Sequence, residues 1–286
     1  MLIATSHASA DAFLQQAQNA LLEQETTTSL ILGISQRVRE HPERVKIQPF
    51  FFTVNSNAAR LELAAIMTPP HNLILHCADS CDPAALNLLA EELTAEGWNV
   101  PGVIGAMPAS EQFAHVWARH TGRTAHLNMR ERAYELRAVI PPRPSDGRLH
   151  LAGPADLPLL AEWTRAFSLE ALGEDMKIDE AREATGTRID DRLLYVWDTG
   201  EPVSMAAVAR PTLHGITVNL VYTPPEQRGR GYASNCVAAV SLRMLDGGYQ
   251  FCTLFTNLAN PTSNDIYQQI GYRSIADFNE YRFENH

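Results

Sequence analysis

The segment Ile140-Pro141-Pro142-Arg143-Pro144-Ser145-Asp146-Gly147 constrains this chain more than any other. Its three prolines fix φ and remove backbone donors, so neither a helix nor a central strand can run through it. It falls near the middle of 286 residues, and each flank has the length of an ordinary domain. The expectation is two domains, 1–140 and 148–286, joined by an extended linker over 141–147. At 45% hydrophobic and 20% charged residues, both flanks can build a core.

The two flanks repeat an order of elements. In the first, apolar spacing predicts helices over Ala10–Gln24 and Ser29–His41. Strands follow over Pro49–Val54, Leu61–Met67 and Leu73–Ala78. Asp82-Pro83 opens a helix that ends at Gly97, with Asp82 as its cap. Gly102–Ala106, a helix over Ala109–His120 and a long strand over Ala125–Val139 complete the half. The second flank gives a strand at Leu149–Ala152, a helix after Asp156 and an acidic helix over Ile178–Arg188. Strands over Leu193–Asp198, Val203–Arg210 and Gly215–Thr223 lead to a helix over Arg230–Leu245. Phe251–Thr256, a helix over Ser263–Gln269, and strands Tyr272–Ala276 and Asn279–Phe283 finish the chain. The class is α+β, with a mixed, mostly antiparallel sheet flanked by helices in each domain.

Charge narrows the partners. A formal net charge of −10, with Lys46 and Lys177 the only lysines, argues against nucleic acid or an anionic membrane as the main partner. No apolar run reaches the ~18 residues of a membrane span. The opening MLIATSHASADAFLQQ lacks a basic region followed by an apolar one, so a cytoplasmic protein is expected. Cys77, Cys81, Cys236 and Cys252 make neither a zinc pattern nor a disulfide framework, and are read as reduced thiols acting as small buried hydrophobes. No metal site is expected.

The chemistry concentrates in Val221-Tyr222-Thr223-Pro224-Pro225-Glu226-Gln227-Arg228-Gly229-Arg230-Gly231-Tyr232-Ala233-Ser234. This is a strand, a stiff turn, a glycine loop and a helix start. Glycines allow close approach to the backbone, and the unpaired amides at a helix N-terminus favour an anion. Arg228 and Arg230 add positive charge, so a phosphate-bearing ligand is the natural occupant. The spacing fits neither a P-loop nor a dinucleotide fingerprint.

The stretch from Pro225 to Ala233 resembles the acyl-CoA signature of the GNAT acyltransferase superfamily, R/Q-x-x-G-x-G/A, with Arg228, Gly231 and Ala233 at its key positions. The run from Asn260 to Tyr272 is similar to the superfamily's late block, and Leu149–Pro158 to its opening. The resemblance covers about residues 148–284. It implies acetyl-CoA as co-substrate and an amine as acceptor, with direct attack on the thioester and no covalent enzyme intermediate. It implies a pantetheine arm paired with Val221, Tyr222 and Thr223, and a pyrophosphate on the amides of Arg228, Gly229, Arg230, Gly231, Tyr232, Ala233 and Ser234. Asn257 or Asn260 would lie near the arm, and Tyr267 would protonate the leaving thiolate. Thr217 and Asn219 occupy the central-strand positions where many relatives carry a glutamate. The base is therefore sought in His214, Glu170 or a water chain, His214 for its suitable intrinsic pKa.

The first flank has the same element order without the cradle. Only Asp79-Ser80-Cys81 separates its third strand from the Asp82 helix, with neither glycine nor arginine. It is expected to be a degenerate GNAT-like domain that shapes the acceptor channel, buries one face of the catalytic domain, or pairs with a second copy as a homodimer. The alternative for the whole chain is an acyl-CoA-binding regulator without turnover.

Overall fold

Phe50, Phe52 and Val54 belong to one hydrophobic core and Phe51, between them, to another. Alternation along a strand sends successive side chains to opposite faces, so this strand is covered by helices on both sides. The computed structural model describes residues 1–58, 60–78 and 81–285 and divides the chain into two compact units. Unit 1 takes 1–133, 210–213 and the end of the chain from 275; unit 2 takes 134–209 and 214–274.

In unit 1 the strands are β1 (Leu2–Ser6), β2 (Phe50–Ser56), β3 (Leu61–Met67), β4 (Leu73–Cys77) and β5 (Gly102–Ala106). Its helices are α1 (Ala10–Leu22), α2 (Ser29–Glu40), α3 (Pro83–Ala95) and α4 (Ala109–Thr121). β1 to β4 pair antiparallel in sequence order, and β4 then pairs parallel with β5 through Leu73–Leu75. The next strand is β12 (Arg273–Glu284), antiparallel to β5, with β6 (Thr124–Leu136) beside it. Leu86, Leu89, Phe113 and Trp117 of α3 and α4 cover one face, and Phe13, Leu21, Ile31 and Leu32 of α1 and α2 cover the other.

Unit 2 repeats the order. Strands β7 (Arg148–Leu151), β8 (Leu194–Asp198), β9 (Pro202–Ala209) and β10 (Gly215–Tyr222) pair antiparallel. β10 pairs parallel with β11 (Phe251–Asn257), and β11 lies beside β6. Helices α7 (Tyr232–Asp246) and α8 (Pro261–Gln269) pack Cys236, Val237, Val240 and Tyr267 with Ile216, Val218 and Leu254. On the opposite face α5 (Leu157–Phe167) and α6 (Ile178–Asp190) pack Leu160, Trp163 and Ile189 with Leu194, Met205, Leu220 and Tyr222.

Several expectations change. The units are not the two sequence halves, because the last strand of the first half ends in unit 2 and the last strand of the chain ends in unit 1. The 141–147 segment, expected as an extended linker, is hydrogen-bonded within unit 2: Asn235 donates to the Arg143 carbonyl at 3.0 Å, and Trp197 donates to that of Asp146 at 2.9 Å. Cys77 and Cys81 form a disulfide, which corrects their reading as reduced thiols, whereas Cys236 and Cys252 are free and buried. β1 is an added strand, and β12 is one strand where two were expected. Asp79 and Ser80, on which the degenerate first loop was read, lie outside the described residues.

Candidate functional site

The site begins where β10 and β11 part. Their parallel pairing covers only Gly215–Thr217 against Phe251–Thr253. Beyond it β10 carries a bulge between Asn219 and Tyr222, with Leu220 at φ 49°. A bulge adds a residue to one strand and redirects its backbone groups, which leaves the second half of β10 facing a gap. Val221, Tyr222 and Thr223, the residues expected to meet an extended ligand arm, lie there.

After Tyr222 the chain makes one short turn at Pro225–Gln227 and enters the glycine loop. Gly229 and Gly231 take φ 76° and 80°, values that carry a steric penalty for any residue with a Cβ. Gly231 is the N-cap of α7, and Asn235 is the first residue whose amide reaches a carbonyl four back, Gly231 O at 3.0 Å. The first-turn amides of Tyr232, Ala233 and Ser234 therefore have no helical acceptor. No heavy atom stands within 4 Å of where a Gly229 Cβ would be. Open space, first-turn amides without a helical acceptor and an exposed Arg230 fit a pyrophosphate.

Arg228 is held on the strand side of the loop. Its Nε donates to the Thr223 carbonyl at 2.9 Å, its Nη2 to Glu170 Oε2 at 2.6 Å, and its guanidinium lies 5.8 Å from the Tyr222 ring centre. Glu170 also accepts from the Tyr222 hydroxyl at 3.0 Å. Burial, and then the bond to Glu170, push the Tyr222 phenol up. Glu170 reaches the loop because α5 ends in a π-helical turn over Ser168–Leu172, closed by Gly173. Such turns displace a side chain from the regular helix surface.

The expected residues divide by place. His214 precedes β10, at the end away from the loop, where its carbonyl accepts from Gln250 at 2.7 Å. Seven strand steps separate Gly215 from Tyr222, roughly 23 Å at about 3.3 Å per residue. His214 thus stands at the opposite end of β10 from the loop, and Glu170 is the carboxylate that the fold brings beside the loop. Asn257 ends β11 and accepts from the Ala259 amide at 2.8 Å; Asn260 caps α8 by accepting from Ser263 at 3.1 Å. Both shape the turn on the β11 side of the gap. Tyr267 is 8% exposed and meets Tyr272 edge-on, ring centres 6.0 Å apart. Burial, with the Cys236 thiol adding to it, holds its phenol well above the usual range, so it stays protonated at neutral pH.

Two residues near the site carry no sequence-based expectation. Tyr134, fully buried on β6, donates to Asn264 Oδ1 at 2.8 Å. Asn264 shares α8 with Tyr267, and a buried amide on a helix otherwise packed by apolar groups was the signal available for it. Among the described residues no group of three or more His, Cys, Asp or Glu is placed to hold a metal ion. No helix among them is long and apolar enough to cross a membrane.

Residues 199–283 match the family described as FR47-like protein. No curated protein sequence matches the chain. Among solved structures, a Drosophila protein is similar at TM-score 0.71 and 14% identity, with 99% of this chain and 98% of that one covered. A GCN5-related N-acetyltransferase from Sphaerobacter thermophilus is similar at TM-score 0.64 and 15% identity, covering 98% of this chain and 95% of its own. A tandem GNAT protein from the clavulanic acid biosynthesis pathway gives TM-score 0.57 and 13% identity over 98% of both chains. The chain therefore shares its fold with GNAT acetyltransferase structures, and its segment 199–283 is similar in sequence to the FR47-like family.

Proposed function

We propose that the protein is an acetyl-CoA-dependent N-acyltransferase whose reaction takes place in unit 2. The observation that carries this reading is the continuous run from the splayed end of β10, through Gly229 and Gly231, into the open first turn of α7. The pantetheine arm adds along Val221–Thr223, and the pyrophosphate sits on the amides of 228–234. A primary amine then attacks the thioester carbonyl directly. The C–N bond forms, the C–S bond breaks, the thiolate takes the Tyr267 proton, and the second proton shed by the acylated nitrogen returns to the Tyr267 oxygen. The attacking ammonium first loses a proton to Glu170, directly or through water, in place of His214. The net charge of −10 favours a cationic acceptor, and the first half of the chain serves to shape its approach.

Calorimetry with acetyl-CoA, followed by thiol release with a panel of amines, tests both steps. Absence of binding at millimolar acetyl-CoA would sink the proposal. One observation favours the regulatory alternative: Glu170 already holds Arg228, as a sensor exchanging a carboxylate for a phosphate would. Binding without thiol release for any amine selects that reading.

A further inference from the structure

Asn264 is 9% exposed, yet its carboxamide is fully engaged. Its Nδ2 donates to the carbonyls of Asn260 at 2.7 Å and Asn257 at 3.1 Å, and its Oδ1 accepts from the Tyr134 hydroxyl at 2.8 Å. Gln268, one turn further along α8, donates back to the Tyr134 oxygen at 3.3 Å. Every polar atom of the Asn264 carboxamide and the Tyr134 hydroxyl therefore has a partner, which lets the pair fix one geometry. What it fixes is the 257–260 turn, since both carbonyls belong there. That turn ends β11, the strand whose pairing with β10 stops at Thr253 and whose later residues face the gap.

We propose that Tyr134 is a positioning residue for the acyl-CoA substrate, holding the β11 side of the cleft in place through Asn264. The inference rests on the acyl-CoA reading of unit 2 and adds a role for the first half of the sequence. A strand from that half, 130 residues away in the chain from Asn264, completes the cleft. Tyr134 touches neither substrate nor reacting atom; it acts through the turn.

The test uses the full chain and acetyl-CoA as the probe, with Tyr134→Phe, Asn264→Ala and the double variant. Phenylalanine keeps the ring packing and removes only the hydroxyl. Loss of one buried hydrogen bond from the wall predicts an acetyl-CoA Kd about three- to tenfold weaker, with kcat at saturating acetyl-CoA within about twofold. Because both residues act through one network, the double variant should bind no more weakly than Asn264→Ala. Ser241→Ala supplies the control. It removes the buried 2.9 Å partner of the Tyr272 hydroxyl in the same core, and should lower the thermal midpoint without moving Kd. Wild-type affinity in Tyr134→Phe, additive losses in the double variant, or an equal Kd loss in Ser241→Ala would each overturn the assignment. If Tyr134→Phe does not fold, Asn264→Ala decides alone: unchanged affinity refutes the role. Failure of the unmutated chain to bind acetyl-CoA would overturn the acyl-CoA reading, and this inference with it.

Discussion

Replacing Gly231 with alanine separates the ligand role of the glycine loop from its role in stability. A Cβ at 231 would meet Asn235 Nδ2 at 3.6 Å, an ordinary contact, so crowding contributes nothing. The cost is the backbone: φ is 80°, and an L-residue in the left-handed region costs about 1–2 kcal/mol. Gly97, which follows α3 in unit 1, offers a matched control with φ 71° and nothing within 4 Å of its missing Cβ. Both variants should therefore lose about 1–2 kcal/mol and a few degrees of thermal midpoint. They should differ in ligand binding. Any relaxation at 231 turns the N-cap of α7 and re-aims the amides of Tyr232, Ala233 and Ser234. Each hydrogen bond to a charged group is worth about 1.5–3 kcal/mol, so one misdirected amide predicts a Kd for acetyl-CoA at least about tenfold weaker. Gly97→Ala should stay within about twofold of the parent. Calorimetry and thermal unfolding on the same samples decide it. If Gly231→Ala loses stability yet keeps its affinity, the loop is not the phosphate cradle. If both variants lose affinity equally, binding merely follows global stability.

Residues close together in sequence made much of this fold and site legible. The helix expected over Arg230–Leu245, and found over Tyr232–Asp246, follows from the spacing of Val237, Val240 and Met244, and its stop from Gly247-Gly248. The glycine loop combines turn chemistry with a helix start inside 14 residues, Val221 to Ser234. β1 escaped notice because LIATS has little alternation, and four of its five residues are exposed. Such a strand forms because β2 offers it an edge, not because of its own pattern. The expected break in β12 came from the polar composition around Ala276–Asn279, which pairing with β5 overrides through Phe278–Arg282. The allocation of β6 and β12 could not be read locally at all, since nothing within a strand names its neighbour. For the same reason the partner of Asn264 stayed hidden, and the ranking of His214 above Glu170 weighed intrinsic pKa without position. Position separates the two by the length of β10, roughly 23 Å, which no local pattern states.

Three further outcomes follow from the burial of titratable groups. Tyr267→Phe keeps the ring against Tyr272 and removes the proton donor; kcat should fall by about 10²–10⁴ with acetyl-CoA affinity unchanged, and unaltered turnover would remove Tyr267 from the mechanism. Burial pushes the Cys236 and Cys252 thiols up to about 12, so alkylation of the folded, reduced protein near pH 8 should label Cys77, which is partly exposed, and spare Cys236 and Cys252. Labelling of Cys236 and Cys252 in peptide mass spectra would show that these thiols are not sheltered. Glu131→Gln should stabilise the protein, and only above acid pH. Burial, then the neighbouring Glu280, raise the Glu131 carboxyl from 4.5 to about 7 while Arg210 opposes them. A carboxyl raised in the folded state penalises folding once it ionises, so the penalty is absent below the unfolded value, grows between 4.5 and about 7, and is complete above. At about 1.4 kcal/mol per pH unit the ceiling is about 3 kcal/mol, and the variant should recover about 1–3 kcal/mol near pH 8 and nothing near pH 4.5. Denaturant midpoints at the two pH values measure it. A gain of equal size at both would mean that glutamine packs better there, and that ionisation of Glu131 carries no cost.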